Sequence, residues 1–267
     1  MLYHDINPVL LEIGPLQVRY YGLLWAAGFA MAYFLIYYLA KRKELPLTKD
    51  DVSDFLIYEI IGVVLGARLI YILFYNPQFY IQNPLEIFAL WHGGLSFHGG
   101  LMGATISGYL FCKKKKIEFY DLADIAVIPV ALALALGRLG NLANAELYGR
   151  LTNLPWCIDY SKNRFVEVPS GCRHPSQIYA SVKNLAIFAV LWLVKDKKMP
   201  KGFMFWSFIT LYGLFRTIVE LFRAPDEQIG FIFNYFTMGQ LLSFPLFLIG
   251  LHMIFRLRKK QALNQIN

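Results

Sequence analysis

Long apolar runs separated by short polar stretches set the pattern of this chain. A helix that crosses a membrane needs about 20 mostly apolar residues. Seven runs meet that need, at about residues 19–40, 53–75, 86–112, 120–143, 176–194, 202–222 and 235–255. The third is rich in glycine. No internal repeat relates the runs, which weakens the transporter folds built from duplicated halves. The pattern predicts an all-α, polytopic integral membrane protein with seven transmembrane helices.

Charge gives the runs a direction. Lys41, Arg42, Lys43 and Lys49 follow the first run, and Lys113, Lys114, Lys115 and Lys116 follow the third. Lys195, Lys197, Lys198 and Lys201 follow the fifth, and Arg256, Arg258, Lys259 and Lys260 the seventh. All four clusters lie on one side, which the positive-inside rule makes cytoplasmic. The N-terminus is then outside and the C-terminus cytoplasmic. The first 18 residues carry no Lys or Arg, so no signal peptide is expected.

Composition agrees. Of 267 residues, 57% are hydrophobic and 16% charged, against about 25% charged in soluble domains. A disordered chain is excluded. The net charge of +8 is mostly a topology signal, since 16 of the 26 basic residues sit in the four clusters. Nucleic acid is not an expected partner. The longest outer loop, about 147–175, is expected to form a small extracytoplasmic insert in a single domain spanning 1–267. It holds Cys157 and Cys172 on the oxidising side, where a disulfide is permitted. Three cysteines are too few for a disulfide scaffold and lack zinc spacing.

A charge inside a span costs roughly 2.5–3.5 kcal/mol and marks a functional candidate. Arg68, Arg138, Arg216, Glu220 and Arg223 fall in the outward halves of their runs. Tyr20, Tyr21, His92, His98 and His174 fall at the outer beginnings of theirs. Six runs thus bring polar groups to one level, the outer half of the bilayer, while Glu59 and Lys183 sit deeper. The glycines at 93, 94, 99, 100 and 103 suggest either a broken helix lining a wet cavity or tight packing through small residues. Arg138 and Asn141 lie one turn apart on one helical face, and Asn144 and Glu146 are expected where that helix unwinds. Tyr212, Arg216, Glu220 and Arg223 follow a 4-4-3 spacing on one face.

Arginines facing a cavity suit an anion, because the guanidinium fork matches phosphate and stays charged. A phosphate between Arg138 and Arg216 departs more readily once its charge is neutralised in a low-dielectric site. His98 is then placed to act as general base. There is no phosphate loop and no paired metal carboxylates, and His92 with His98 is a weak metal signal. No metal or cofactor is expected.

The run Gly137 to Arg150 resembles the signature of the prolipoprotein diacylglyceryl transferase family, with Leu142 where Phe is usual. Similar runs follow the family's order: Arg19 to Gly22, Gly66 to Asn76, Gly94 to Gly99, His174 to Tyr179 and Tyr212 to Asp226. The resemblance implies transfer of a diacylglyceryl group from phosphatidylglycerol to the lipobox cysteine of a preprolipoprotein. A thioether forms and glycerol 1-phosphate leaves. It implies a multi-pass protein of the bacterial cytoplasmic membrane, with the active site toward the outer leaflet. It marks Tyr21, His98, Arg138, Asn141, Glu146, Gly149, Arg216 and Glu220. Arg138 binds the lipid phosphate, with Arg216 second and held by Glu220. Tyr21 and Asn141 orient the head group, Glu146 binds substrate or takes the thiol proton, and Gly149 is structural. The catalytic set is His98, Arg138 and Arg216. The alternative is a seven-span lipid or anion transporter, which needs polar groups at both faces. A retinal-binding protein needs a lysine in 235–255, where there is none.

Overall fold

Each predicted apolar run falls on a long helix of the computed structural model. That model describes residues 2–90, 93–225, 230–232 and 235–266, with the backbone alone at 97, 98 and 264–266. The long helices are α1 (Tyr20–Arg42), α2 (Lys49–Phe74), α4 (Phe97–Lys115), α5 (Phe119–Ala143), α6 (Ser176–Val194), α7 (Phe203–Glu220) and α8 (Met238–Ile266). A short α3 (Pro77–Gln82) and a 3-10 turn (Pro84–Ile87) follow α2. Five helices, α1, α2, α5, α6 and α8, are long and apolar enough to cross a membrane. Arg216 and Glu220 lower the hydropathy of α7, and glycines with terminal lysines lower that of α4. Ile57, Ile61, Leu65, Leu69 and Leu73 stand four apart on α2, each more than half exposed. Such a stripe is one helical face and fits lipid rather than water. The chain is a polytopic, mostly helical membrane protein.

The described residues fall into two compact units, one of residues 36–123 and one of the remaining chain. In the first, α2 and α4 meet through small residues. A Cβ on Gly66 would lie 2.8 Å from Gly103 Cα, and one on Gly62 2.8 Å from Gly103 O. Small residues let membrane helices approach this closely. Ser107 on α4 donates to Glu59 Oε1 at 3.1 Å, which supplies a partner for an acid placed deep in an apolar helix.

The third helix differs from its expected range of 86–112, because α4 begins only at Phe97. Arg68 is the reason. Its guanidinium donates to the carbonyls of Ile87 at 3.0 Å, Ala89 and Gly94 at 3.1 Å, and also to those of Glu86 and Gly93. A helix would have spent those carbonyls on its own ladder. Gly93 and Gly94 have φ of +79° and +77°, a region open to glycine. Ser96 then caps α4 by accepting from Gly99 N–H. The glycine cluster therefore serves two purposes, a loop at 93–94 and helix packing at 99 and 103. Trp91 and His92 lie outside the described residues.

In the second unit, β2 (Val9–Ile13) and β3 (Leu16–Arg19) form a hairpin that leads into α1. Helices α1 and α5 approach through Gly28, whose Cβ would meet Ala133 Cβ at 3.1 Å, and Gly137, against Trp25. Ser181 of α6 donates to Ala135 O of α5 at 3.0 Å. Asp124 of α5 accepts from the N–H groups of Gly202 and Phe205, both at 2.8 Å. It thereby caps α7, whose N-cap Gly202 has no side chain to do so. Gly213 gives α8 close access to α7, since its Cβ would fall 2.7 Å from Phe247 N.

Residues 147–175 carry two short strands, β4 (Ile158–Asp159) and β5 (Cys172–Arg173), antiparallel to each other. Chain segment β1 (Leu2–Tyr3) adds to β4 in parallel, giving the order β1-β4-β5. Ala145, Ile158 and Tyr160 make a small core, with Leu142, Tyr148, Val166 and Ile178 packed on it. A Cys157–Cys172 disulfide closes this region. Closing a 15-residue separation stabilises by about 3 kcal/mol on chain-entropy grounds.

His4 ties β1 to this core. Its Nε2 lies 2.7 Å from Leu142 O, and its Nδ1 2.7 Å from Asn163 Nδ2. Asn163 Oδ1 already accepts from Phe165 and Val166 N–H. The amide orientation is thus fixed, Nδ1 must accept, and the imidazole is neutral. Burial pushes His4 below its ordinary value, against the pull of Leu142 O and Asp5. The unfolded chain therefore takes up the proton first. This stabilising contribution is full above about pH 6.5 and is lost as pH falls through the lowered folded value. Thermal melts at pH 7.5 and pH 5 should show a lower midpoint in acid. The His4→Gln protein should show a smaller pH dependence.

Candidate active site

Two helix ends build the site. Helix α5 stops at Ala143, and the next turns need left-handed backbone at Ala145 and Leu147, both with φ of +54°. This bend returns the chain so that Glu146 N–H donates to Asn141 O at 2.9 Å. The Glu146 carboxylate then accepts from Asn141 Nδ2 and Asn144 Nδ2, each at 3.1 Å. Glu146 is held by two side-chain amides, one from the helix and one from the bend. A cleft of about 490 Å³ opens beside it, lined among others by Arg19, Asn144, Tyr148 and Glu167.

The bend is fixed from α6. Gln177 donates to Glu146 O and Ser176 to Leu147 O, both at 2.6 Å. Gly149 N–H donates to His174 O at 3.0 Å, and a Cβ on Gly149 would fall 2.8 Å from Phe222 O. Arg150 N–H donates to Phe222 O, and Ala224 N–H to Tyr148 O. The strand-like stretch after α5 is thereby tied to the end of α7.

Glu220 is the charged centre at that end. It is 1% exposed and faces two guanidiniums: Arg216 Nη2 at 2.8 Å and Arg223 Nη1 at 3.0 Å. Gly239 makes room behind it, since a Cβ there would lie 2.7 Å from Glu220 Cδ. Arg138 interacts electrostatically with Arg216, Tyr212, Arg223 and Glu220. Among the described residues, no group accepts a hydrogen bond from Arg138. Its fork is the one in this cluster left open for a ligand. Tyr21 lies against α5 one turn away, its ring close to Gly140, where a Cβ would fall 2.9 Å from Cδ2.

Arg138, Arg216, Glu220 and Arg223 thus come together, and Asn141 and Glu146 pair one turn further along α5. Lys183 joins the cluster as well. Its Nζ stands 3.9 Å from the centroid of the Tyr212 ring and 2.9 Å from Asn184 Oδ1. Arg68 belongs to the other compact unit, where its guanidinium donates to loop carbonyls. His98 is the second residue of α4, and its side chain lies outside the described residues. No group of three or more His, Cys, Asp or Glu stands together as a metal site among the described residues. Ser176 and Gln177 fell within the run His174 to Tyr179 but were given no role by sequence, and Asp124 and Gly239 were not singled out. The signal for the first two is a polar pair after Pro175 at the start of an apolar run.

Such an arrangement offers a phosphate one open fork and one paired fork, in apolar surroundings that strengthen both. The family model described as prolipoprotein diacylglyceryl transferase matches residues 8–256. The chain is 48% identical over 254 residues to the phosphatidylglycerol–prolipoprotein diacylglyceryl transferase of Geobacter sulfurreducens, covering 95% of this chain and 96% of that protein. It is 42% identical to the protein of that name from Desulfotalea psychrophila, covering 96% and 95%. It is 41% identical to that of Rickettsia rickettsii (strain Sheila Smith), covering 95% and 98%.

Proposed function

The chain belongs to the prolipoprotein diacylglyceryl transferase family, and from that premise we propose that it alkylates a protein thiol with a lipid. The diacylglyceryl group passes from phosphatidylglycerol to the lipobox cysteine of a preprolipoprotein signal peptide. Sulfur attacks the glyceryl carbon, the S–C bond forms and the C–O bond to phosphate breaks. The electron pair leaves on the phosphate as glycerol 1-phosphate. The chain's own cysteines are not needed, because the nucleophile comes from the peptide. The observation that carries this reading is the open Arg138 fork beside the Arg216–Glu220 pair.

Arg138 binds the phosphate and Arg216 shares its charge, held in place by Glu220. Tyr21 and Asn141 orient the head group. Glu146, anchored by two amides, binds substrate. The membrane is the bacterial cytoplasmic membrane, crossed by seven helices with the N-terminus outside and the C-terminus inside. The site then faces the outer leaflet, and residues 147–175 are an extracytoplasmic insert of one domain. Incubating the purified protein with labelled phosphatidylglycerol and a lipobox peptide should yield a thioether-linked peptide and glycerol 1-phosphate. Absence of both products overturns the reading.

His98 is the base in this scheme, because thiolate is the reactive form. His98→Gln should then lose activity near pH 7 and regain it near pH 9, where a free thiol ionises unaided at about 8.5. An equal loss at both pH values removes His98 from that role.

A further inference from the structure

We propose that the β2–β3 hairpin is an interfacial anchor, with one apolar face resting in the lipid surface at the N-terminal end of α1. Partners across a strand pair share a face, and successive residues alternate between faces. The register pairs Leu11 with Val18 and Ile13 with Leu16, and between these pairs Glu12 with Gln17. One face therefore carries Leu11, Ile13, Leu16 and Val18, and the other Glu12, Gln17 and Arg19. Leu11, Ile13 and Leu16 are 53%, 61% and 64% exposed. The polar face is knit together by its own side chains. Gln17 Nε2 donates to Glu12 Oε1 at 3.1 Å, and Arg19 Nη2 to Gln17 Oε1 at 2.9 Å.

Position selects lipid as the occupant of the apolar face. Tyr20 opens α1 directly after Arg19 closes β3, so no linker carries the hairpin away from the span. The 23 residues of α1 rise about 35 Å, close to the roughly 30 Å of a hydrocarbon core. The hairpin thus stands at the membrane boundary. A two-stranded hairpin is marginal in water by itself, and among the described residues this one joins no further strand. Lipid on the apolar face supplies the burial it lacks. That face has no charged or hydrogen-bonding side chain to desolvate. On the polar face, Arg19 lines the cleft beside Glu146. The anchor therefore holds one wall of that cleft at the level of the lipid head groups.

The test is site-specific fluorescence in proteoliposomes of phosphatidylglycerol and phosphatidylcholine. Cys112 is buried, and Cys157 and Cys172 are joined, so the wild-type chain serves as the unlabelled blank. Leu11→Cys, Glu12→Cys, Ile13→Cys, Leu16→Cys and Gln17→Cys, all at exposed positions, each receive an environment-sensitive probe. Probes at 11, 13 and 16 should emit further to the blue and be quenched by nitroxides on the acyl chains. Aqueous iodide should quench them several-fold less than probes at 12 and 17. Equal responses at all five positions overturn the proposal. So does shielding from iodide without acyl-chain quenching, the result that a second copy or another part of the chain would give. Shielding that appears only when a lipobox peptide is added also overturns it and assigns the face to the peptide. As a second variant, Ile13→Asp with Leu16→Asp should lower the acyl-chain quenching of a probe at 11 several-fold, and unchanged quenching there overturns the proposal. No substrate turnover enters the measurement, so its outcome stands apart from that of the transfer reaction.

Discussion

Arg138→Ala should abolish thioether formation on a lipobox peptide, lowering kcat/KM by at least about 10²–10³-fold, the scale for a lost transition-state donor. The protein should still insert and melt at or slightly above the wild-type temperature. Both halves follow from the same geometry. Arg138 donates to no group among the described residues, so its removal breaks no internal bond there. It stands within electrostatic range of Arg216 and Arg223, so its removal relieves like-charge repulsion. What is lost is the open fork. Arg138→Lys should restore little, since an ammonium lacks the planar two-point geometry that matches phosphate. Mass spectrometry of the peptide and thermal unfolding in detergent check the two halves. Full activity in the alanine protein would remove Arg138 from phosphate binding.

Glu220→Ala should show the opposite signature, losing stability and activity together. The carboxylate is 1% exposed and faces two guanidiniums at 2.8 and 3.0 Å. Removing it leaves two buried cations uncompensated beside Arg138 and Lys183. Breaking a buried pair from one side costs about 3–5 kcal/mol. A loss of that size lowers the melting temperature by about 6 °C or more in a chain of this length. Arg216 loses its anchor and its aim at the phosphate. The double change Arg216→Met with Glu220→Leu should recover part of the lost stability, because it removes one of the two orphaned guanidiniums while Arg223 keeps its charge. It should recover none of the activity. Thermal melts of wild type, Glu220→Ala and the double variant decide the point. Equal stability of Glu220→Ala and wild type would overturn it.

Helices were the legible part of this chain, because a membrane imposes one demand on every span. Apolar runs such as 120–143 match their helices within a residue or two. The start of α4 was not legible, since Glu86 to Leu90 is as apolar as a helix end. Only the position of Arg68, 18 to 26 residues earlier, shows that its carbonyls are taken. The arginine cluster was legible for the same reason as the spans: charge is conspicuous in an apolar run. The support of that cluster was hidden. Gly239 looks like any small residue at a helix start, and only Glu220 behind it gives it meaning. Asn144 and Glu146 were expected where α5 unwinds, and they lie there. The bend that joins Glu146 to both amides depends on positive φ at Ala145 and Leu147, which no residue type at those positions announces.

The parallel pairing of β1 with β4 has a consequence for biogenesis. Leu2 pairs with Ile158 and Tyr3 with Asp159, so these two residues wait for partners about 156 positions later in the chain. At about 5–20 residues per second, that delay is roughly 8 to 30 seconds of synthesis. The sheet and its disulfide thus cannot mature while the early helices are being inserted. They form a late checkpoint, closed after α5 is complete. Variants that disturb residues 2–5 should accumulate as inserted chains with reduced Cys157 and Cys172, detectable by thiol labelling during synthesis.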